Sequence, residues 1–202
     1  YRALRIDPMD YTCDVLPADI NMTCRDMAFD YTTGAMYVTG DNGADTGVLA
    51  QMNLTTGELT VVGETDVVLT TLAITEDGRM YGVSANGTLY QVNRESLALT
   101  EVMNGPSSEV IQSMHYDLNS GKMFWAYASK YLSECYEVDI ENGSLISLGT
   151  VSNDGAEISC LYTVPEHEPT VPASVKPAGV SMPETQYVVK GQTKQLEALV
   201  LP

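Results

Sequence analysis

The loop Thr39-Gly-Asp41-Asn42-Gly-Ala-Asp45-Thr46 brings Asp41, Asn42 and Asp45 together, and such hard oxygen ligands suit calcium. The spacing is short of an EF-hand loop, which needs further acids and a closing Glu, and Asp, Asn and Gly are also ordinary turn residues. Calcium is therefore the one cofactor the sequence suggests. A second chemical stretch is Lys122-Met-Phe-Trp125-Ala-Tyr127-Ala-Ser-Lys-Tyr131, which holds the only tryptophan. Aromatic faces stack on sugar rings and anchor protein partners, so Trp125, Tyr127 and Tyr131 are candidate ligand-binding residues. Period-two alternation sets Phe124 on one face of a strand and Trp125 with Tyr127 on the other, where core packing competes with binding. His115 is a candidate pocket residue, because it stands where Ala28 and Ala73 stand in the related segments described below.

Nucleophilic catalysis needs a nucleophile, a base within reach and an orienting group. With only His115 and His167, the chain has little from which to build a triad. No phosphate-binding glycine loop or dinucleotide fingerprint is present. Paired-carboxylate hydrolysis depends on separation in space, which sequence does not reveal. The four cysteines, Cys13, Cys24, Cys135 and Cys160, allow three disulfide pairings or free thiols, and none lies in a CxxC pair.

These residues must be positioned by short strands. From Leu72 to Asn93 the chain alternates apolar and polar residues, breaks at Asp77-Gly78, resumes at Met80-Tyr81, breaks at Asn86-Gly87 and resumes at Leu89-Tyr90. The Asp-Gly and Asn-Gly pairs predict two-residue hairpins with positive φ, and Leu97–Val102 supplies a fourth strand. The pattern recurs. Met27-Ala-Phe29, Leu72-Ala-Ile74, Met114-His-Tyr116 and Cys160-Leu-Tyr162 are equivalent first strands, at steps of 45, 42 and 46 residues from Phe29 to Ile74, Tyr116 and Tyr162. Gly34-Ala-Met36-Tyr37, Gly78-Arg-Met80-Tyr81 and Gly121-Lys-Met123-Phe124 repeat the turn and second strand.

Four strands repeating every 40 to 50 residues resemble the blades of a β-propeller. The expected organisation is all-β: a half blade over 1–16, blades at about 24–63, 69–103 and 110–149, and a closing strand over 157–164. A larger propeller is preferred to a four-bladed ring, because the three prolines of Pro165–Pro172 oppose a further strand. Residues 165–173 read as a proline-rich linker. Beyond it, Val189-x-Gly191-Gln192-Thr193 and Leu196-x-Ala198-x-Val200-x-Pro202 resemble the opening of bacterial Ig-like domains of group 2, known from surface adhesins. Over 174–202 this implies an incomplete β-sandwich. The repeats also resemble degenerate propellers of secreted bacterial surface proteins.

The chain carries 27 acidic and 10 basic residues, a formal charge of −17. Such a surface repels phosphate backbones and anionic membranes, so nucleic acid is excluded as a partner. No run is long and apolar enough for a spanning helix. The expectation is a non-catalytic extracellular or cell-surface bacterial protein that binds a glycan or a protein through propeller loops. The alternatives are a carbohydrate-active hydrolase or lyase with its catalytic residues outside this segment, and a structural surface-assembly component. Self-association to cover open propeller edges is the remaining partner expectation.

Overall fold

The computed structural model describes residues 1–7, 9–43, 46–108, 111–152, 158 and 160–166, together with two short strands near the C-terminus. The chain forms two compact units, 1–169 and 170–202.

Hairpin turns organise the first unit. At Asp30, Asn53, Asn93, Asp117 and Asp139 the side-chain oxygen of the opening Asp or Asn accepts a turn amide two residues on. Examples are Thr32 N to Asp30 Oδ1 at 2.9 Å, Thr55 N to Asn53 Oδ1 at 2.9 Å and Glu95 N to Asn93 Oδ1 at 3.0 Å. The residue four positions on then takes positive φ: Gly34 (72°), Gly57 (76°), Gly121 (68°) and Gly143 (64°). Leu97 occupies that position after Asn93 with φ 57°, and Tyr11 after Asp7 with φ 61°. A side chain in this region costs about 1–2 kcal/mol, which is why glycine holds the position elsewhere.

These turns close three four-stranded antiparallel meanders. The first contains β3 (Thr23–Asp30), β4 (Ala35–Asp41), β5 (Gly47–Met52) and β6 (Leu59–Thr65). The second contains β7 (Ala73–Ile74), β8 (Met80–Val83), β9 (Thr88–Val92) and β10 (Leu99–Asn104). The third contains β11 (Ser113–Asp117), β12 (Lys122–Ala128), β13 (Ser133–Asp139) and β14 (Ser144–Ser152). Ahead of them lies a two-stranded sheet, β1 (Leu4–Ile6) and β2 (Cys13–Val15).

The expected two-residue hairpins at Asp77-Gly78 and Asn86-Gly87 are three-residue loops. Gly78 N donates to Thr75 O while Thr75 N donates to Arg79 O, both at 2.9 Å. Only the glycines take positive φ, at 84° and 88°, whereas the mirror-image two-residue turn needs both central residues there.

The core lies between blades. Tyr37 and Leu49 of the first pack with Leu72, Met80 and Val92 of the second; Tyr81, Val83 and Leu89 of the second pack with Met114, Trp125 and Val138 of the third. Polar contacts cross the same seams. Arg94 of the second blade pairs with Asp30 of the first, donates to Tyr37 Oη at 3.2 Å, and sits over the Tyr37 ring. Glu141 of the third blade pairs with Arg79 of the second at 2.8 Å.

Residues 160–166 make no sheet ladder and follow β11 through side chains. Leu161 N donates to Ser113 Oγ at 3.1 Å, Thr163 Oγ1 to Asp117 Oδ1 at 2.9 Å, and Asn119 Nδ2 to Val164 O at 3.0 Å. Both numberings rise together, so the segment runs parallel to β11, as β3, β7 and β11 are innermost in their own sheets.

In the second unit β15 (Gly179–Ser181) pairs antiparallel with β16 (Leu199–Leu201). Most of the Ig-like expectation, including Val189–Thr193, lies outside the described residues.

Candidate functional site

A cavity of about 680 Å³ opens on the face where the β4–β5, β6–β7, β8–β9 and β10–β11 connections gather. Its polar wall includes Arg25, Asp41, Thr70, Ser84, Asn86 and Ser108, with Val67, Val68 and Ile111 as apolar patches.

One irregularity builds both this wall and the axis behind it. In the β3–β4 ladder Cys24 pairs with Gly40 and Asp26 with Thr39, so Arg25 is an extra residue in a bulge. A bulge re-aims side chains. Arg25 reaches back to Asp41, donating from Nε and Nη2 to Oδ2 at 3.0 and 2.9 Å. Asp26 turns to the axis. Its Oδ2 accepts Leu72 N of the second blade at 3.0 Å and Met114 N of the third at 3.1 Å, while Oδ1 accepts Met27 N at 2.9 Å and Ser113 Oγ at 3.3 Å. Although residue Asp26 as a whole is only partly buried, desolvation of its carboxyl at the axis outweighs these four bonds and pushes its pKa up to about 7.

The same register position holds Thr71 in the second blade and Ser113 in the third, both buried. Thr71 Oγ1 accepts Val83 N at 2.9 Å. Gln112 adds a further polar link: its Oε1 accepts Trp125 Nε1 at 2.9 Å and its Nε2 donates to Thr70 Oγ1 at 3.4 Å, next to the cavity.

The structure separates the sequence candidates. Trp125 is 0% exposed and Tyr127 8%, both inside the seam between the second and third blades, with Tyr127 Oη donating to Ser107 O at 3.2 Å. Their rings therefore offer no stacking face to a ligand: alternation along β12 points them at the neighbouring sheet. Tyr131, in the β12–β13 turn, is 72% exposed with Lys130 over its ring. Asp41 lines the cavity, but its Oδ2 is held by Arg25 and its Oδ1 by Gly43 N at 3.1 Å, so its charge is already matched. Asn42 lies in the adjoining turn, and Asp45 lies outside the described residues.

His115 is half-buried away from this cavity. Its Nε2 lies 2.8 Å from Thr163 Oγ1, and its ring meets that of Tyr162 at 5.0 Å between centroids. Because the Thr163 hydroxyl donates to Asp117, it accepts the Nε2 proton. The hydroxyl is thus oriented away from the imidazole, the reverse of an activated nucleophile. Burial lowers the His115 pKa, partly offset by Asp117. These groups pin residues 160–166 beside a smaller cavity of about 210 Å³, which also touches Asp26.

Arg25, Asp26 and Gln112 were not singled out by sequence. The available signal was a polar residue immediately before each apolar first strand, Asp26, Thr71 and Ser113, in one register.

No protein-family profile and no curated protein matches the chain. Solved structures do. A nidogen/laminin complex aligns with a TM-score of 0.55 at 12% identity, covering 74% of this chain and 59% of that one. An auxiliary nutrient binding protein from Bacteroides ovatus aligns at 0.52 and 18%, covering 72% and 35%. TolB from Acinetobacter baumannii aligns at 0.52 and 14%, covering 74% and 38%. The chain thus spans less than two thirds of the length of each of these structures. With its helix-free meanders, the likeness establishes an all-β, β-propeller fold.

Proposed function

We propose that the chain is a non-catalytic binding protein acting outside the cytoplasm, which receives a glycan or a protein loop on the face bearing the Arg25–Asp41 cavity. The observation that carries this reading is the cavity itself. Four connections converge on about 680 Å³ of open space, walled by hydroxyls, an amide and a charge-matched Arg–Asp pair. Shape and exchangeable hydrogen bonds of this kind suit recognition of a polyhydroxylated or peptide ligand, and binding residues concentrate on loops held by a rigid scaffold. The fold neighbours lend general support, since one is a protein–protein complex and another a nutrient binding protein. The extracellular bacterial setting rests on the resemblance of the repeats to secreted surface propellers; calcium at Asp41, Asn42 and Asp45 is an auxiliary ligand of this reading, and its binding would have to displace Arg25 from Asp41.

A glycan array combined with a polysaccharide-hydrolysis screen on the intact chain tests this. Saturable binding without product release is expected. Released oligosaccharide would replace the reading with that of a hydrolase or lyase.

A further inference from the structure

The wall of the Arg25–Asp41 cavity is unequal in what it leaves free for hydrogen bonding. Its acceptors are engaged. Asp41 Oδ2 takes both Arg25 Nε and Nη2, at 3.0 and 2.9 Å, and Asp41 Oδ1 takes Gly43 N at 3.1 Å. Asn86 Oδ1 takes Ser84 Oγ and Thr88 N. Three wall carbonyls already accept as well: Val67 O from Thr65 Oγ1, Ser84 O from Gly87 N and Ala85 O from Ser108 N, each at 2.9 Å.

Donors remain. Both bonds from Arg25 to Asp41 leave by the Nε–Nη2 edge of the guanidinium, so the opposite edge, Nη1 with the second Nη2 proton, is left over in a side chain 41% exposed. Because Thr88 N can only donate, it fixes Oδ1 as the turn-facing atom of Asn86, and two Nδ2 protons are left on an exposed residue.

Charge agrees with this. In a chain of 27 carboxylates, the described lining holds only Asp41, which Arg25 matches, and burial raises the Cys24 thiol so that it stays uncharged. Acids beyond the Debye length, about 8 Å at physiological salt, are largely screened, whereas a carboxylate touching a partly buried guanidinium is screened much less.

Resting on the binding-face reading, we propose that the ligand is an acidic oligosaccharide: the carboxylate of a uronate unit docks on the open edge of Arg25, and sugar oxygens accept from Asn86 Nδ2. A planar fork of two N–H groups matches a carboxylate bidentately. An acidic peptide carries a carboxylate too, but it brings a backbone N–H with each residue to a wall whose acceptors are engaged. Each donor buried without a partner costs about 1–3 kcal/mol. Sugar hydroxyls rotate, so they accept from the wall and turn their protons to solvent.

The probes are hexamers of galacturonate, glucuronate and mannuronate, each beside its carboxyl-reduced counterpart, and a capped peptide of alternating Ser and Glu, titrated into the intact chain by calorimetry. At least one uronate should bind about tenfold or more tighter than its reduced counterpart and than the peptide. Arg25→Gln should abolish that preference. Asn86→Asp keeps the oxygen that Ser84 and Thr88 use and replaces the free donors by a negative charge; it should weaken the uronate about tenfold, the reduced counterpart less, and it serves if Arg25→Gln unfolds the chain. A reduced counterpart or a peptide that binds as tightly as the uronate overturns the acidic-saccharide assignment and leaves the binding face standing. A uronate preference retained by both variants overturns it too, as does no binding by any probe up to about 10 mM, in which case the glycan and protein screen decides the face separately.

Discussion

Asp26 Oδ2 accepts the backbone N–H of Met114 at 3.1 Å although 88 residues and a whole blade separate them, and the same oxygen accepts Leu72 N at 3.0 Å. One carboxylate therefore joins the innermost strands of three blades, at the point where strand ends would otherwise present unpaired donors. These bonds hold the starts of the inner strands of the second and third blades to the first. Their loss should be felt globally. Asp26→Ala leaves two buried amides without acceptors, each worth about 1–3 kcal/mol; a loss of roughly 2–4 kcal/mol in urea unfolding is expected. Asp26→Asn keeps one acceptor oxygen and should cost less.

The raised pKa of Asp26 has a definite sign. The folded carboxyl titrates at about 7 and the unfolded one near 3.8, so between those values the folded state holds the proton more tightly. Its contribution to stability is full below the unfolded value and declines as pH rises towards 7. Asp30 and Asp117 have lowered pKa values and act oppositely, losing stability as pH falls. Comparing wild type with Asp26→Asn from pH 4 to 8 isolates the axial group: the wild type should lose ground against the variant as pH rises. An invariant difference would show that Asp26 does not titrate in this window.

The two seam ion pairs should differ in worth. Asp30 is 0% exposed, and Arg94→Ala leaves it with Thr32 and Thr33 alone as side-chain partners. A loss of about 2–3 kcal/mol is expected, below the 3–5 typical of fully buried pairs because Arg94 is partly exposed. Glu141 is largely exposed, and Glu141→Ala should change stability by under about 0.5 kcal/mol. Equal effects in chemical denaturation would contradict the burial argument.

The two residues that replace glycine in the common turn make a paired test. Tyr11 is exposed, so Tyr11→Gly removes positive-φ strain without losing packing and should stabilise by about 0.5–1 kcal/mol. Leu97 is buried in the first seam, and Leu97→Gly should destabilise by about 1–2 kcal/mol, since lost packing exceeds relieved strain. Thermal melts of both variants decide it.

These residues also show what was legible in sequence. Asp or Asn followed four residues later by Gly, and Gly-x-Met-aromatic after it, are local signals that repeat, so the blades could be read from Asp30–Tyr37 and Asp117–Phe124 alone. Burial of Trp125 followed from alternation once a neighbouring blade was assumed. The Arg25 bulge left no local mark, and without it the side chains of Arg25 and Asp26 have no assigned direction. The axial role of Asp26 depends on amides 46 and 88 residues away, and no pattern within one repeat encodes that. The three-residue loops at Gly78 and Gly87 share their Asp-Gly and Asn-Gly sequences with two-residue turns, so composition alone did not distinguish them.

The most direct test of the binding-face account is to fill the cavity while leaving the fold intact. Asn86, exposed in the β8–β9 turn at the cavity wall, is replaced by Trp, and the variant is assayed beside wild type against whichever glycan or protein the screen returns. The account predicts that Asn86→Trp abolishes binding while the chain stays folded, its melting temperature lowered only by loss of the turn bonds that Asn86 Oδ1 accepts from Ser84 Oγ and Thr88 N, and that Tyr131→Ala, on the separate β12–β13 turn, leaves binding intact. Full binding by Asn86→Trp, or loss confined to Tyr131→Ala, would contradict it.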